Sequence, residues 1–378
     1  MKNIERYFFE LLQVAIGNRD SLSGLSTPEE WEEIYDISKK QTLVGITFKG
    51  VEKLPEEQLP PRPRIRQWFV KADKIRKKNE KINLECAKTC FILARRGFNS
   101  CIIKGQANLK NYVSTKPLAN EKYGLSWYRT SGDIDVWTWS KSGKVSDVIQ
   151  ETKKINPRTE ATYHHADCHI AGDTETEVHY RPSWMSAPWR NKVAQEFFNL
   201  HKNDIERYPI ALPDGRKTFF FVPSIEFDAV YQLVHIYRHL FYEGIGLRQI
   251  LDYYMVLTRL NDEQRTNTYH WLKKLGMKTF TAATMYVLQE VFAMQDKYLL
   301  CTPNEKEGRF LLSEIMFAGN FGHEDERINV TKDHWFRWGI MKLKRNMKFL
   351  TSYPEEVICE PFFRVFHWTW RTFKLWKY

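Results

Sequence analysis

The chain has 378 residues, 43% hydrophobic and 15% aromatic with 13 tryptophans, enough apolar surface for one large core or two ordinary ones, which excludes a disordered protein. The formal net charge of +11 is concentrated: residues 62–81 carry nine Lys/Arg against Asp73 and Glu80, and residues 332–378 carry ten against four acids. Such runs are commonly solvated faces, yet both suit an anionic partner, nucleic acid included. No apolar run approaches 18 residues and the N-terminus lacks a signal-peptide layout, so a cytoplasmic protein with no transmembrane segment is expected. The six cysteines form no Cys-x-x-Cys pair, and Cys86 and Cys90, one helical turn apart, read as free core thiols.

In chain order, Ile4, Phe8, Leu11, Leu12 and Ala15 mark an amphipathic helix. Thr27-Pro28-Glu29-Glu30 is a capping box that opens a second helix, running to about Lys40. A third helical patch ends near Phe48, and the Pro-rich 54–63 breaks the pattern. A long helix then spans about Ile65–Arg96, basic first and apolar later, closed by Gly97. The character then changes to a short β-type run at 98–103 that ends on Lys104-Gly105, with a helix expected from Gln106 to about Val113. Strand, glycine and helix in that order can point backbone N–H groups at a phosphate.

The stretch Arg129-Thr-Ser-Gly-Asp133-Ile-Asp135-Val-Trp137-Thr-Trp alternates, so a strand here sets Asp133, Asp135 and Trp137 on one face and Ile134 and Val136 on the other. Two carboxylates about 6–7 Å apart along one strand repel. A hard divalent cation, normally Mg²⁺, held between them and phosphate oxygens is the usual remedy.

After a helix at about 141–155, residues 159–181 read as a hairpin broken at Ala171-Gly172-Asp173. Its second strand puts Glu175, Glu177, His179 and Arg181 on one face, and Glu177 is the third carboxylate that a two-metal site needs. On its first strand Tyr163, His165, Asp167 and His169 share a face, with His164 and Cys168 pointing the other way. That alternation splits the His/Cys group and argues against zinc.

From Pro223 the pattern is helical again. The periodic run Ile225–Tyr242 carries His235 and His239 at i,i+4, a pair expected to line a cleft rather than to bind a metal. Leu247–Leu260 carries Arg248 and Asp252, and further helices fall near 267–274, 279–294 and 308–317. The segment Phe362–Tyr378 mixes aromatic and basic residues as a membrane-surface helix or nucleic-acid stripe does, although a terminal helix packing on the domain is the commoner outcome.

Ile-Ile-Lys104-Gly105, Arg129-x-x-Gly132-Asp133-Ile-Asp135, Glu177-Val-His179-Tyr-Arg181, His235-x-x-x-His239 and Gly246-Leu-Arg248-Gln-x-x-Asp252, in this order, resemble the uncharacterised nucleotidyltransferase family of the DNA polymerase β-like superfamily. The Trp31–Tyr35 helix and Gly319-Asn-Phe-Gly322 are similar too. The resemblance implies an α+β fold: a small mixed-sheet nucleotidyltransferase core at 98–222, flanked by helical modules at 1–97 and 223–378. It implies transfer of a nucleoside monophosphate from an NTP to an acceptor hydroxyl of a small molecule or protein, releasing pyrophosphate. Asp133, Asp135 and Glu177 would hold two Mg²⁺ ions and be catalytic. Lys104-Gly105 stands where the superfamily's Gly-Ser turn meets nucleotide phosphates, with Gln106 departing from the serine. Lys104 and Arg129 would offset leaving-group charge, and His179, Arg181, His235, His239, Arg248 and Asp252 would serve nucleotide or acceptor. Two other classes remain open: a metal-dependent glycosyltransferase using Asp-x-Asp, and a non-catalytic basic protein binding nucleic acid or another partner through 62–81 and 332–378.

Overall fold

The computed structural model describes residues 3–24, 27–112, 123–211, 215, 217–319 and 335–375. Most of the 113–128 loop, Asn320–Gly322 of the Gly-Asn-Phe-Gly turn, and the ends of the 332–378 basic segment lie outside the described residues. The architecture is α+β and mainly helical. Three helices, α1 (Asn3–Ile16), α2 (Pro28–Lys40) and α3 (Val44–Val51), precede the long α4 (Arg62–Arg95). The capping box at α2 forms as expected: Glu30 N–H donates to Thr27 Oγ1 at 3.3 Å and Thr27 N–H to Glu30 Oε2 at 2.7 Å. Much of the basic charge of α4 is neutralised locally, with Arg76 on Asp73 and Glu80, Arg64 on Glu32 and Lys81 on Asp173.

A four-stranded sheet follows, built from β1 (Asn99–Ile102), β2 (Ile134–Trp139), β3 (His165–Cys168) and β4 (Thr176–His179) in the order β1-β2-β4-β3. The β2/β4 pair is parallel and the two outer pairs are antiparallel. Helix α5 (Val145–Ile155) makes the crossover side. One face of the sheet is apolar: Ile134, Val136, Ala166, Cys168 and Val178 pack with Cys86, Cys90 and Leu93 of α4 and Val148 and Ile149 of α5. Burial pushes the Cys90 thiol up to about 11, as suits an inert core thiol.

Residues 105–111 differ from expectation. They form a 3-10 helix, and its i→i+3 bonding replaces the α-helical N-terminus that was expected to face a phosphate. Gln106 explains the tight turn: it is buried, donates to Asn83 Oδ1 at 2.6 Å and accepts from the Ser131 hydroxyl, which ties this segment to α4 and to the approach to β2. Two further elements had not been anticipated, α6 (Pro188–His201) and the hairpin of β5 (Ile205–Ala211) and β6 (Lys217–Pro223), which seats Phe220 and Val222 against α4 in the core under the sheet.

The helical half comprises α7 (Ile225–Tyr242), α8 (Leu247–Leu257), α9 (Asp262–Lys274), α10 (Lys278–Phe292) and α11 (Glu305–Ala318). These share one continuous core with α1–α3, and Gln13 of α1 donates to the Val291 carbonyl of α10 at 3.1 Å. After α12 (Trp335–Met347), α13 (Pro354–Thr372) returns to the sheet. There Phe363 stacks on Trp184, Trp370 on Tyr180, and His367 Nε2 accepts from the Tyr163 N–H at 3.1 Å. Its inner face is thus packed, while its outer face leaves Phe362 and Trp368 73% and 63% exposed. Among the described residues no helix is long and apolar enough to cross a membrane.

Candidate active site

The polar face of the sheet is a grid fixed by strand register. Asp135 stands opposite Glu177 across β2/β4, and Glu177 stands opposite Asp167 across β4/β3. One row therefore runs Asp135, Glu177, Asp167 over three adjacent strands. The next row runs Trp137, His179, His165. Like charges directly opposite are destabilising, so this row needs compensation.

Compensation comes from an ammonium and an imidazole. Lys104, just beyond β1, places Nζ 2.6 Å from Asp135 Oδ1 and 3.9 Å from Glu177 Oε2. Gly105 allows this placement because the chain turns there with φ +55°, the left-handed region that favours glycine. His179 puts Nε2 2.9 Å from Asp135 Oδ1 and 3.0 Å from Glu177 Oε2. Burial disfavours the charged forms of both, but the carboxylates outweigh it: the Lys104 ammonium is held above its ordinary value by Asp135, Glu177 and Asp133, and the His179 imidazole is raised by its bonds to Asp135 and Glu177. Burial likewise pushes Glu177 up, yet Lys104 and the histidines outweigh it and hold its carboxyl well below the usual range.

Asp133 lies just before the first paired residue of β2. Its carboxyl is pushed up to about 6, first by the Asp135 charge and then by burial. It borders a cleft of about 550 Å³ with Arg158, Asp167, His169 and Glu177. Among the described residues three groups bring ligand atoms within 4.8 Å of one another: Asp135, Glu177 and His179; His165, Asp167 and Glu177; and His164, His165 and His179. Asp133 joins none of them, so of the three expected carboxylates the structure brings Asp135 and Glu177 together directly, while Asp133 lines the cleft with Glu177. The donor set still suits a divalent cation, because the Lys104 ammonium already sits against Asp135 and Glu177 as a positive charge would.

The separation expected for the histidines does not hold. His164 precedes β3, whose first residue is His165, and the Thr162–His165 turn brings its ring to 4.1 Å from that of His165. Strand alternation does not operate where the chain is not yet in the strand.

The remaining expected residues are placed as follows. Arg129 Nε and a terminal nitrogen each lie 2.6 Å from an oxygen of Asp252, whose Oδ1 also accepts from the Tyr112 hydroxyl at 2.6 Å. Arg248 donates to the Thr130 carbonyl at 2.8 Å, and burial, with Arg129 nearby, pushes it down to about 10. Together these bonds pin the approach to β2 onto α8. Arg181 donates to the Tyr163 carbonyl at 2.6 Å and covers that ring. His235 and His239 lie edge to face on α7, both lowered by burial, His239 to about 4. Arg238, which the periodicity of α7 did not single out, connects His239 at 2.9 Å to His164 at 3.1 Å, while His239 Nδ1 lies 2.9 Å from Glu243.

The arrangement pairs carboxylates able to hold a cation with an amine able to meet a phosphate, beside a cleft that Asp133 and Glu177 line. Searches of curated proteins and of solved structures found no match. The model of one family, described as "Uncharacterised nucleotidyltransferase", matches residues 27–293, a span that holds every residue of the site just described. The chain belongs to this uncharacterised nucleotidyltransferase family.

Proposed function

We propose that this protein transfers a nucleoside monophosphate from an NTP to an acceptor hydroxyl and releases pyrophosphate, using a polymerase β-like core. The observation that carries this reading is the in-register pair Asp135 and Glu177 with the Lys104 ammonium against both. Asp135 and Glu177, with Asp133 beside them, would hold Mg²⁺, which when bound supplies charge neutralisation of the triphosphate and a more acidic acceptor hydroxyl. Lys104, relieved of Asp135 by such a cation, is free to turn its ammonium to the phosphates and offset charge on departing pyrophosphate. The acceptor oxygen forms its bond to the α-phosphorus as the bond to the β-phosphate oxygen breaks, and its proton leaves to solvent. His179 fixes the Asp135 and Glu177 carboxylates relative to one another. The Arg129–Asp252 and Arg248 contacts act as positioning groups that hold the Thr130–Gly132 approach.

The reading is tested by incubating the protein with each α-labelled NTP, Mg²⁺ and fractionated cell extract, and following label into small molecules, protein and RNA. RNA is included because of the basic segments 62–81 and 332–378, and a cytoplasmic extract is the natural source. Transfer by the wild type and none by Asp135→Asn or Glu177→Gln is the expected result. No transfer from any NTP, with no Mg²⁺-dependent NTP binding, would sink it.

A further inference from the structure

The carboxylate row does not end at Glu177. Asp167 continues it, with its side chain 70% exposed to the cleft, and His165 lies beside both. The protons on these rings follow from Arg238. A guanidinium can only donate, and a terminal nitrogen of Arg238 lies 3.1 Å from His164 Nε2, so that nitrogen accepts. His164 then carries its proton on Nδ1, where it donates to Thr162 Oγ1 at 3.2 Å. Burial holds the ring neutral, and Arg238 is itself fixed over the Trp184 face at 4.1 Å. His165 Nδ1 lies 2.8 Å from the same accepting nitrogen and must also donate to it.

With Nδ1 turned to His164, the nitrogen of His165 that faces Asp167 is Nε2, 3.2 Å from Oδ1. An imidazole nitrogen and a carboxylate oxygen at that separation are placed as two neighbouring ligands of one cation would be. Neighbouring ligands at bonds of about 2.1 Å in octahedral coordination stand roughly 3 Å apart, close to what is seen. His165, Asp167 and Glu177 also offer one ligand atom each within 4.8 Å of one another, and Asp167 and Glu177 line the cleft.

We propose that His165, Asp167 and Glu177 form a second divalent-cation site, sharing Glu177 with the Asp135 side, that takes Mn²⁺ or Zn²⁺ in preference to Mg²⁺. The imidazole sets the preference: a nitrogen donor suits Zn²⁺ and is accepted by Mn²⁺ as a first-row transition metal, whereas Mg²⁺ keeps to carboxylates, phosphates and water. His164 and Arg238 are positioning residues here, since they fix which nitrogen of His165 is free. The inference rests on the reading above only in taking Asp135 and Glu177 as the neighbouring site.

The test is a Mn²⁺ titration of the full chain followed by electron paramagnetic resonance, counting bound ions and recording the ¹⁴N modulation of a coordinated imidazole. The wild type is expected to bind two ions. His165→Ala and Asp167→Asn are expected to lose one, or weaken it at least about tenfold, with His165→Ala reducing the ¹⁴N modulation. Asp135→Asn should retain the ion at His165, and excess Mg²⁺ should displace Mn²⁺ from the Asp135 side first. Melting without metal checks that each variant is folded, with His165→Gln as the alternative to the alanine. Mn²⁺ stoichiometry and affinity unchanged in folded His165 and Asp167 variants overturn the proposal and leave His165 as an imidazolium bonded to Asp167. Failure of nucleotide transfer would appear in the labelling assay and leave the ion count untouched, so the two outcomes are distinguishable.

Discussion

Asp135 and Glu177 are directly opposite residues of a parallel strand pair, and their carboxylates share one ammonium, Lys104, and one imidazole, His179. Removing either carboxylate leaves the fold's apolar face untouched, because Ile134, Val136 and Val178 point the other way. Asp135→Asn and Glu177→Gln are therefore expected to stay folded, by circular dichroism, and to lose nucleotide transfer by at least about 100-fold in kcat/KM, the scale of losing a charge-stabilising group in a transition state.

Lys104 competes with a cation for Asp135, since its Nζ is 2.6 Å from the carboxylate. Lys104→Ala removes the competitor. Calorimetry should show divalent cations binding several-fold more tightly than in the wild type, while KM for NTP rises because the phosphates lose an amine. Weaker cation binding in the variant would argue that Lys104 organises the site rather than occupying it.

Arg129 and Asp252 form a buried bidentate pair, Nε on Oδ1 and a terminal nitrogen on Oδ2, both at 2.6 Å. Arg129→Ala strands the Asp252 carboxylate in the core with Tyr112 alone of its two hydrogen-bonding partners. Urea denaturation is expected to show a loss of roughly 3–5 kcal/mol, the usual cost of breaking one side of a buried pair. Asp252→Asn, which keeps the shape and part of the bonding, should lose less.

Glu356 on α13 is buried, accepts the Ser186 N–H at 2.9 Å, and is pushed up from 4.5 to about 7, mainly by burial. A raised folded-state value means that the folded protein holds this proton more tightly than the unfolded chain does. The group's contribution is fully present below about pH 4.5 and is lost as pH rises through 7. From pH 4.5 to 8 the wild type should lose about 3 kcal/mol more stability than Glu356→Gln. Denaturation midpoints of the two proteins across that range would show it, and parallel curves would contradict it.

The strands of the site were legible because alternation is a local property. Asp135 against Ile134 and Val136, and Glu177 against Thr176 and Val178, lie on the faces that period two dictates. Helices α2 and α7 were legible from a cap and a strong period. Register between strands is not local, and no pattern within β3 shows that Asp167 falls opposite Glu177 rather than one residue away. The Arg129–Asp252 pair and the Arg238–His164 bond join residues 123 and 74 positions apart, so the separate appearance of each residue could not reveal its partner. A 3-10 turn and an α-helix begin alike in sequence, and after Gly105 the buried bonds of Gln106 decide between them. The β5/β6 hairpin did carry a usable sign, Asp214-Gly215 between two β-rich runs.

The docking of α1 on α10, joined by Gln13 and Val291 across 278 positions, has a consequence for biosynthesis. At about 5–20 residues per second, a ribosome needs roughly 15–60 s after α1 emerges before its mate exists. Through that interval α1 has α2 and α3 beside it but not α10, and the part of its apolar surface that α10 finally covers is an opening for chaperone engagement or for pairing between neighbouring nascent chains.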